Sequence, residues 1–174
     1  MSNSTIHDVE QPAPALGHEI GVRILCLGNE LLADDALGCL VAEQIRGLAQ
    51  ADVEVISTPE AGFHLLDYVV NVHRLIVVDT VITGTASPGT IYELHENELE
   101  TVPGGSPHYV GLRETLTLAR SLGLPVAEEV VFLAVEAADC STLGGKMHPA
   151  VRAAIPILFA VVRSYVEEGR AGHY

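Results

Sequence analysis

Three side chains, Asp35, Asp79 and His108, are of types that do chemistry together. Asp35 lies in the stretch Leu25-Cys26-Leu27-Gly28-Asn29-Glu30-Leu31-Leu32-Ala33-Asp34-Asp35-Ala36-Leu37-Gly38, where an apolar run passes through a Gly-Asn turn into a helical pattern. Asp79 ends the clearest β-branched run of the chain, and His108 follows a Gly/Pro-rich segment at the start of another helix. Two carboxylates and one imidazole form a mixed oxygen and nitrogen donor set. Such a set suits a borderline divalent ion and leaves coordination positions open for a substrate or water. Each residue also has a plainer role. Asp34 or Asp35 can cap a helix, an Asp at a strand end is an ordinary loop residue, and a lone His is commonly structural.

No competing centre stands out. Ser106 lies two residues from His108, but a catalytic triad needs more than adjacency. Gly28-Asn29 has no GKS or GKT after it and no second and third glycine, which excludes a P-loop and a dinucleotide fingerprint. His64 and His148 read as helix residues, His73 and His95 as solvated groups flanking strands, and Cys26 as a buried, inert thiol.

The elements that would position the three residues follow from periodicity. Residues 22–27 read as a strand buried on both faces, 53–56 as a short alternating strand, 75–78 as a β-branched strand, 89–94 as an alternating strand and 130–135 as a fifth. Leu37, Leu40, Val41, Ile45 and Leu48 share one helical face. A second helix is expected over 61–70 with Phe63, Leu66 and Val70 on a common face, and a third over 109–122 with Leu112, Leu116 and Ala119 inward. A last helix is expected over 148–168, kinked at Pro156, after a Gly-containing loop at 139–146. The start, βαβαβ, argues a doubly wound parallel sheet. The connection 80–88 is nine residues long and not helical, too short for a parallel crossover. The fourth strand therefore runs antiparallel and ends at the opposite sheet edge from Asp79. The twelve residues 96–107 reach about 40 Å when extended, enough to bring His108 back to the edge that holds Asp35 and Asp79. Ligands of open α/β sheets sit beyond that edge, the carboxyl ends of the parallel strands.

The expected fold class is therefore α/β: a three-layer, open, five-stranded mixed sheet with strand 4 antiparallel and helices on both faces, of the phosphorylase/hydrolase-like kind. Residues 1–19 are polar with two prolines and read as a disordered leader, residues 20–170 as a single α/β domain, and 171–174 as a tail. The net charge of -14, from 9 basic and 23 acidic residues, argues against nucleic acid and anionic membrane. The longest apolar run, 153–162, contains Pro156 and is too short to span a bilayer. Three cysteines without ligand spacing and a start without a signal pattern fit a reduced cytoplasmic protein.

Three stretches resemble the motifs of the nickel–iron hydrogenase maturation endopeptidases. Gly28-Asn29-Glu30-Leu31-Leu32-Ala33-Asp34-Asp35-Ala36-Leu37-Gly38 is similar to the first. Ile76-Val77-Val78-Asp79-Thr80-Val81 with Ser87-Pro88-Gly89-Thr90 resembles the second, and Ser106-Pro107-His108-Tyr109-Val110-Gly111-Leu112 the third. The order agrees, and the resemblance covers residues 22–168. It implies a cytoplasmic processing protease whose partner is the hydrogenase large-subunit precursor; a monomer is expected. The protease removes a short C-terminal extension once nickel has been inserted. It implies Asp35, Asp79 and His108 as the catalytic and metal-contacting residues, with nickel as the metal, supplied by the substrate and replaceable by other divalent cations in crystals. The alternative is a non-catalytic assembly factor that binds the nickel-loaded precursor without cutting it. Cys26 stands where a Gly is usual, Pro59 and Glu60 where Gly and Thr are, and residues 134–138 replace a Gly-Ile-x-Pro pattern. These departures bear on substrate identity more than on reaction class.

Overall fold

A computed structural model describes residues 20–98 and 107–171, with the side chains of 107–110 and 169–171 excepted. The expected leader 1–19, the return segment 99–106 and residues 172–174 lie outside the described residues.

Five strands form one sheet: β1 (Ile20–Leu27), β2 (Val53–Thr58), β3 (Val72–Val81), β4 (Ile91–His95) and β5 (Glu129–Glu136), in the order β2-β1-β3-β5-β4. All neighbouring pairs are parallel except β4 with β5. The short connection after β3 thus had the geometric consequence expected of it. The helices are α1 (Leu37–Ile45), α2 (Leu66–Val69), α3 (Pro107–Ser121) and α4 (Pro149–Ala171). The alternation of each central strand sorts its side chains into two cores. Ile24, Cys26, Ile76, Val78, Val131 and Leu133 pack with residues of α1 and α4 on one face. Leu25, Leu27, Val77, Val81 and Phe132 pack with residues of α2 and α3 on the other. The result is the three-layer α/β architecture expected from the sequence.

Several local expectations are corrected. β3 does not stop at Asp79 but runs to Val81, because its ladder with β5 continues through Asp79↔Ala134 and Thr80↔Val135 to Val81↔Glu136. The second helix is a 3-10 turn (Gly62–Leu65) followed by one α-turn, α2. That tighter start changes the rotational phase, so Leu65 and Val69 are buried while Phe63 is exposed. His148 is not inside the last helix. Its Nδ1 accepts the amide of Ala150, a cap ahead of α4. His73 and His95 lie within β3 and β4. As expected, one helix, α4, contains Pro156. Its segment Pro149–Glu168 is long and apolar enough to cross a membrane by length and composition, which the shorter apolar run in the sequence did not suggest. Its buried positions, Val151, Ala154, Ile155, Leu158, Val162 and Val166, follow the i, i+3, i+4, i+7 spacing of a helix that covers a sheet.

The chain leaves β1 for β2 on one side and β3 on the other. The crevice at the carboxyl ends of β1 and β3 is therefore the topological switch point, where open α/β sheets take their ligands.

Candidate active site

Asp35 and Asp79 meet at this switch point. Two glycines make the approach possible. Gly28 has φ +140, and a Cβ there would lie 2.1 Å from the Asp35 carbonyl oxygen. A Cβ on Gly38 would lie 2.0 Å from the Leu27 carbonyl oxygen. Any larger residue at either position would push the first turn after β1 off the strand end. With both glycines in place, the chain turns tightly and the Asp35 carboxylate folds back over β1. Its Oδ2 accepts the Asn29 amide (2.8 Å) and its Oδ1 the Thr80 hydroxyl (3.0 Å).

Thr80 ties the two acids together. Its hydroxyl holds Asp35, and its amide donates to Asp79 Oδ1 at 2.8 Å. Alternation puts Asp79 on the same face of β3 as Val77 and Val81, the face covered by α2 and α3. α3 begins at Pro107, so the backbone of His108 is in its first turn. One turn on, Gly111 is pressed against the segment after β2: a Cβ there would lie 2.5 Å from the Gly62 nitrogen. The Thr115 hydroxyl donates to the Gly62 carbonyl (3.0 Å). The start of α3 is therefore anchored at the carboxyl edge of the sheet, on the face Asp79 occupies. The His108 side chain lies outside the described residues, so the third member of the expected set is placed by its backbone alone. Among the described residues no group of three or more His, Cys, Asp and Glu side chains forms a metal-binding cluster.

The adjacent acid, Asp34, has a separate role. It is 1% exposed. Its Oδ2 accepts the amides of Ala138 and Asp139, and its Oδ1 accepts the amide of His148 at 2.6 Å. It caps no helix of its own, since the turn after it has no side-chain cap. It fastens both ends of the β5–α4 loop. Sequence reading missed this role, and it missed Thr80. Neither leaves a local signal, because Asp34 acts across 104 residues and Thr80 across 45.

The site is a floor of negative charge. Asp79 is fully buried and Asp35 is 8% exposed. Among the described residues Asp35 is held by one amide and one hydroxyl, and by no cationic side chain. Buried carboxylates are ordinarily paired with cations or bound to metal. Cys140 reports the same field. Its thiol donates to the Thr80 hydroxyl oxygen at 3.5 Å. Burial pushes it up to about 11, and the charges of Asp35, Asp34 and Asp79 add to the rise, against the lowering effect of the Thr80 bond. Burial, with Cys39 nearby, pushes Cys26 to about 12. Neither thiol is a nucleophile at neutral pH, since the thiolate is the reactive form. The site can therefore polarise a bound group or take a proton from water, and neither Cys26 nor Cys140 serves it as a nucleophile.

A model of the hydrogenase maturation protease family matches residues 39–164. A curated relative, the hydrogenase 2 maturation protease of Escherichia coli, is 31% identical over 106 residues, 59% of this chain and 65% of that protein, a little under two thirds of its length. The hydrogenase expression/formation protein HupD of Bradyrhizobium diazoefficiens is 26% identical over 80% of this chain and 74% of its own. Among solved structures, the hydrogenase maturating endopeptidase HybD from Escherichia coli superposes with a TM-score of 0.75 at 26% identity, covering 84% of this chain and 92% of that one. HybD from Thermococcus kodakarensis shares the fold at a TM-score of 0.65 and 21% identity, over 83% of this chain and 98% of its own.

Proposed function

The chain belongs to the hydrogenase maturation protease family, a family of peptidases, and from that premise we propose that it removes the C-terminal extension of a nickel–iron hydrogenase large-subunit precursor after nickel has been inserted. Nickel belongs to the substrate, and Asp35, Asp79 and His108 are the groups that recognise it. The observation that carries this reading is the Asp35 carboxylate at the switch point, buried, held by an amide and a hydroxyl, and without a cationic partner among the described residues. Two carboxylates and an imidazole match a borderline divalent ion and leave it room for further ligands. Nickel gripped in this way would place the scissile carbonyl next to it and activate a water. A carboxylate not engaged with the nickel would take the water's proton. We propose a monomer acting in the cytoplasm.

The test is the intact mass of a purified precursor after incubation with the protein. The nickel-loaded precursor should lose its C-terminal peptide, and the nickel-free precursor should not. Binding without mass loss would make the protein an assembly factor instead. Equal cleavage with and without nickel would remove nickel from the recognition step.

A further inference from the structure

Each of the four parallel strands is followed, at its carboxyl end, by a segment that leaves one large apolar side chain uncovered. Leu31 follows β1, Phe63 follows β2, Ile82 follows β3 and Leu143 lies in the loop after β5, with exposures of 58%, 61%, 48% and 73%. Among the described residues the other large apolar side chains so exposed are at the far end of α3 (Leu122, Leu124) and on the outer side of α4 (Ile157). Single exposed apolar residues are ordinary, but a group of them around one site is not.

The loops that carry the four are held, not loose. The segments after β1 and β5 are zipped together by the Leu32↔Leu143 bridge, by the Ala33 amide to the Thr142 carbonyl (3.2 Å) and by the Gly144 amide to the Leu31 carbonyl (2.8 Å). The turn that carries Phe63 is pinned to α3 through Gly62. Ile82 is followed by Thr83 and Gly84, whose amides both donate to the buried Glu136 carboxylate at 2.9 Å. Ordered apolar groups bind without a large ordering cost.

We propose that these four side chains form a docking rim for the body of the precursor protein, so that the enzyme recognises a folded surface around the scissile segment as well as the segment itself. This rests on the reading of the Asp35–Asp79 edge as the peptidase site. The occupant follows from the surroundings. The four segments leave the same carboxyl edge of the sheet at which Asp35 and Asp79 sit, so a protein that delivers a peptide bond to these acids approaches over them. A second copy of this chain is disfavoured, because each copy carries a net charge of -14 and like-charged copies repel. A small ligand would not touch four loops at once.

The experiment measures the affinity of the full-length protein for a purified, nickel-loaded precursor, using the Asp79→Asn background so that turnover does not consume the complex. Phe63→Glu and Leu143→Glu are each expected to weaken binding at least tenfold, as for a central apolar contact. Ile157→Glu, an exposed apolar position away from the site, should leave binding unchanged. Thermal unfolding of all three should match the parent, and Leu31→Glu serves in place of any that does not. Rim variants that bind like Ile157→Glu overturn the proposal while leaving the proposed cleavage untouched. A concentration-dependent dimer that the rim variants dissolve also overturns it, in favour of a self-interface. A wild-type protein that binds the precursor but does not cut it removes the peptidase reading, and the rim then stands or falls on the affinities alone.

Discussion

Asp79→Asn is expected to lower precursor processing by about 10²–10⁴-fold, the range for loss of a group that handles a proton or metal in the transition state, without lowering thermal stability. Asn is isosteric with Asp, and its carbonyl oxygen can still accept the Thr80 amide that Asp79 Oδ1 accepts now. What changes is charge. Asp79 is fully buried and tied to Asp35 through Thr80, and two carboxylates brought together in a buried place disfavour one another. Removing one charge relieves that strain, so the melting temperature should hold or rise while activity collapses. Asp35→Asn should behave alike, because the Asn29 amide can still donate to the new carbonyl oxygen and the Thr80 hydroxyl can turn to accept its NH2 group. Thr80→Val keeps both charges and removes only the hydroxyl that positions Asp35. It should cost less than either Asn variant. Single-turnover cleavage and a thermal melt on each protein check all three, and wild-type cleavage by Asp79→Asn would remove Asp79 from the mechanism.

Asp34→Ala should have the opposite signature, a large loss of stability. Three backbone amides, those of Ala138, Asp139 and His148, donate to this one carboxylate. A donor left without its partner in a buried place costs about 1–3 kcal/mol. Some water will enter, so the expected sum is about 3 kcal/mol, or roughly 6–12 °C in melting temperature for a chain of this size. Asp34→Asn should recover little, since its NH2 group would face amides that also donate. A denaturant titration reads the difference directly. A loss below about 1 kcal/mol would mean that the loop is held by its backbone contacts, among them the Asp34 amide to the Asp139 carbonyl.

The contrast between these neighbours shows what a sequence can and cannot disclose. That the floor would contain Asp35 and Asp79 was legible, because both follow apolar runs of parallel strands and the strand order brings those ends together. The direction of β4 was legible from the length of one connection. The inward faces of α1 and α3 were legible from the spacing of Leu37, Val41 and Ile45 and of Leu112, Leu116 and Ala119, all of which are buried. Other features depend on partners far along the chain. β3 extends past Asp79 because β5 continues to pair with it. Phe63 points outward because a 3-10 turn precedes α2. Asp34 looked like a helix cap, and its true partners come more than a hundred residues later. Cys26, at the position where the resemblance led to the expectation of Gly, is accommodated in the core shared with α1 and α4. Glu136, within the stretch that departs from the family pattern, also has a structural role. Its carboxyl is held below the usual range: burial works against this, and the bonds from Thr83, Gly84 and Tyr92 outweigh it.

The central claim is that Asp35, Asp79 and His108 grip the nickel carried by the substrate. X-ray absorption at the nickel edge tests it most directly, on the nickel-loaded precursor alone and on its complexes freeze-quenched before turnover. With the wild-type protein the nickel shell should gain oxygen and nitrogen neighbours at about 2 Å, and the gain should shrink with Asp79→Asn and with His108→Ala. A nickel shell that is the same with and without the protein would contradict the account.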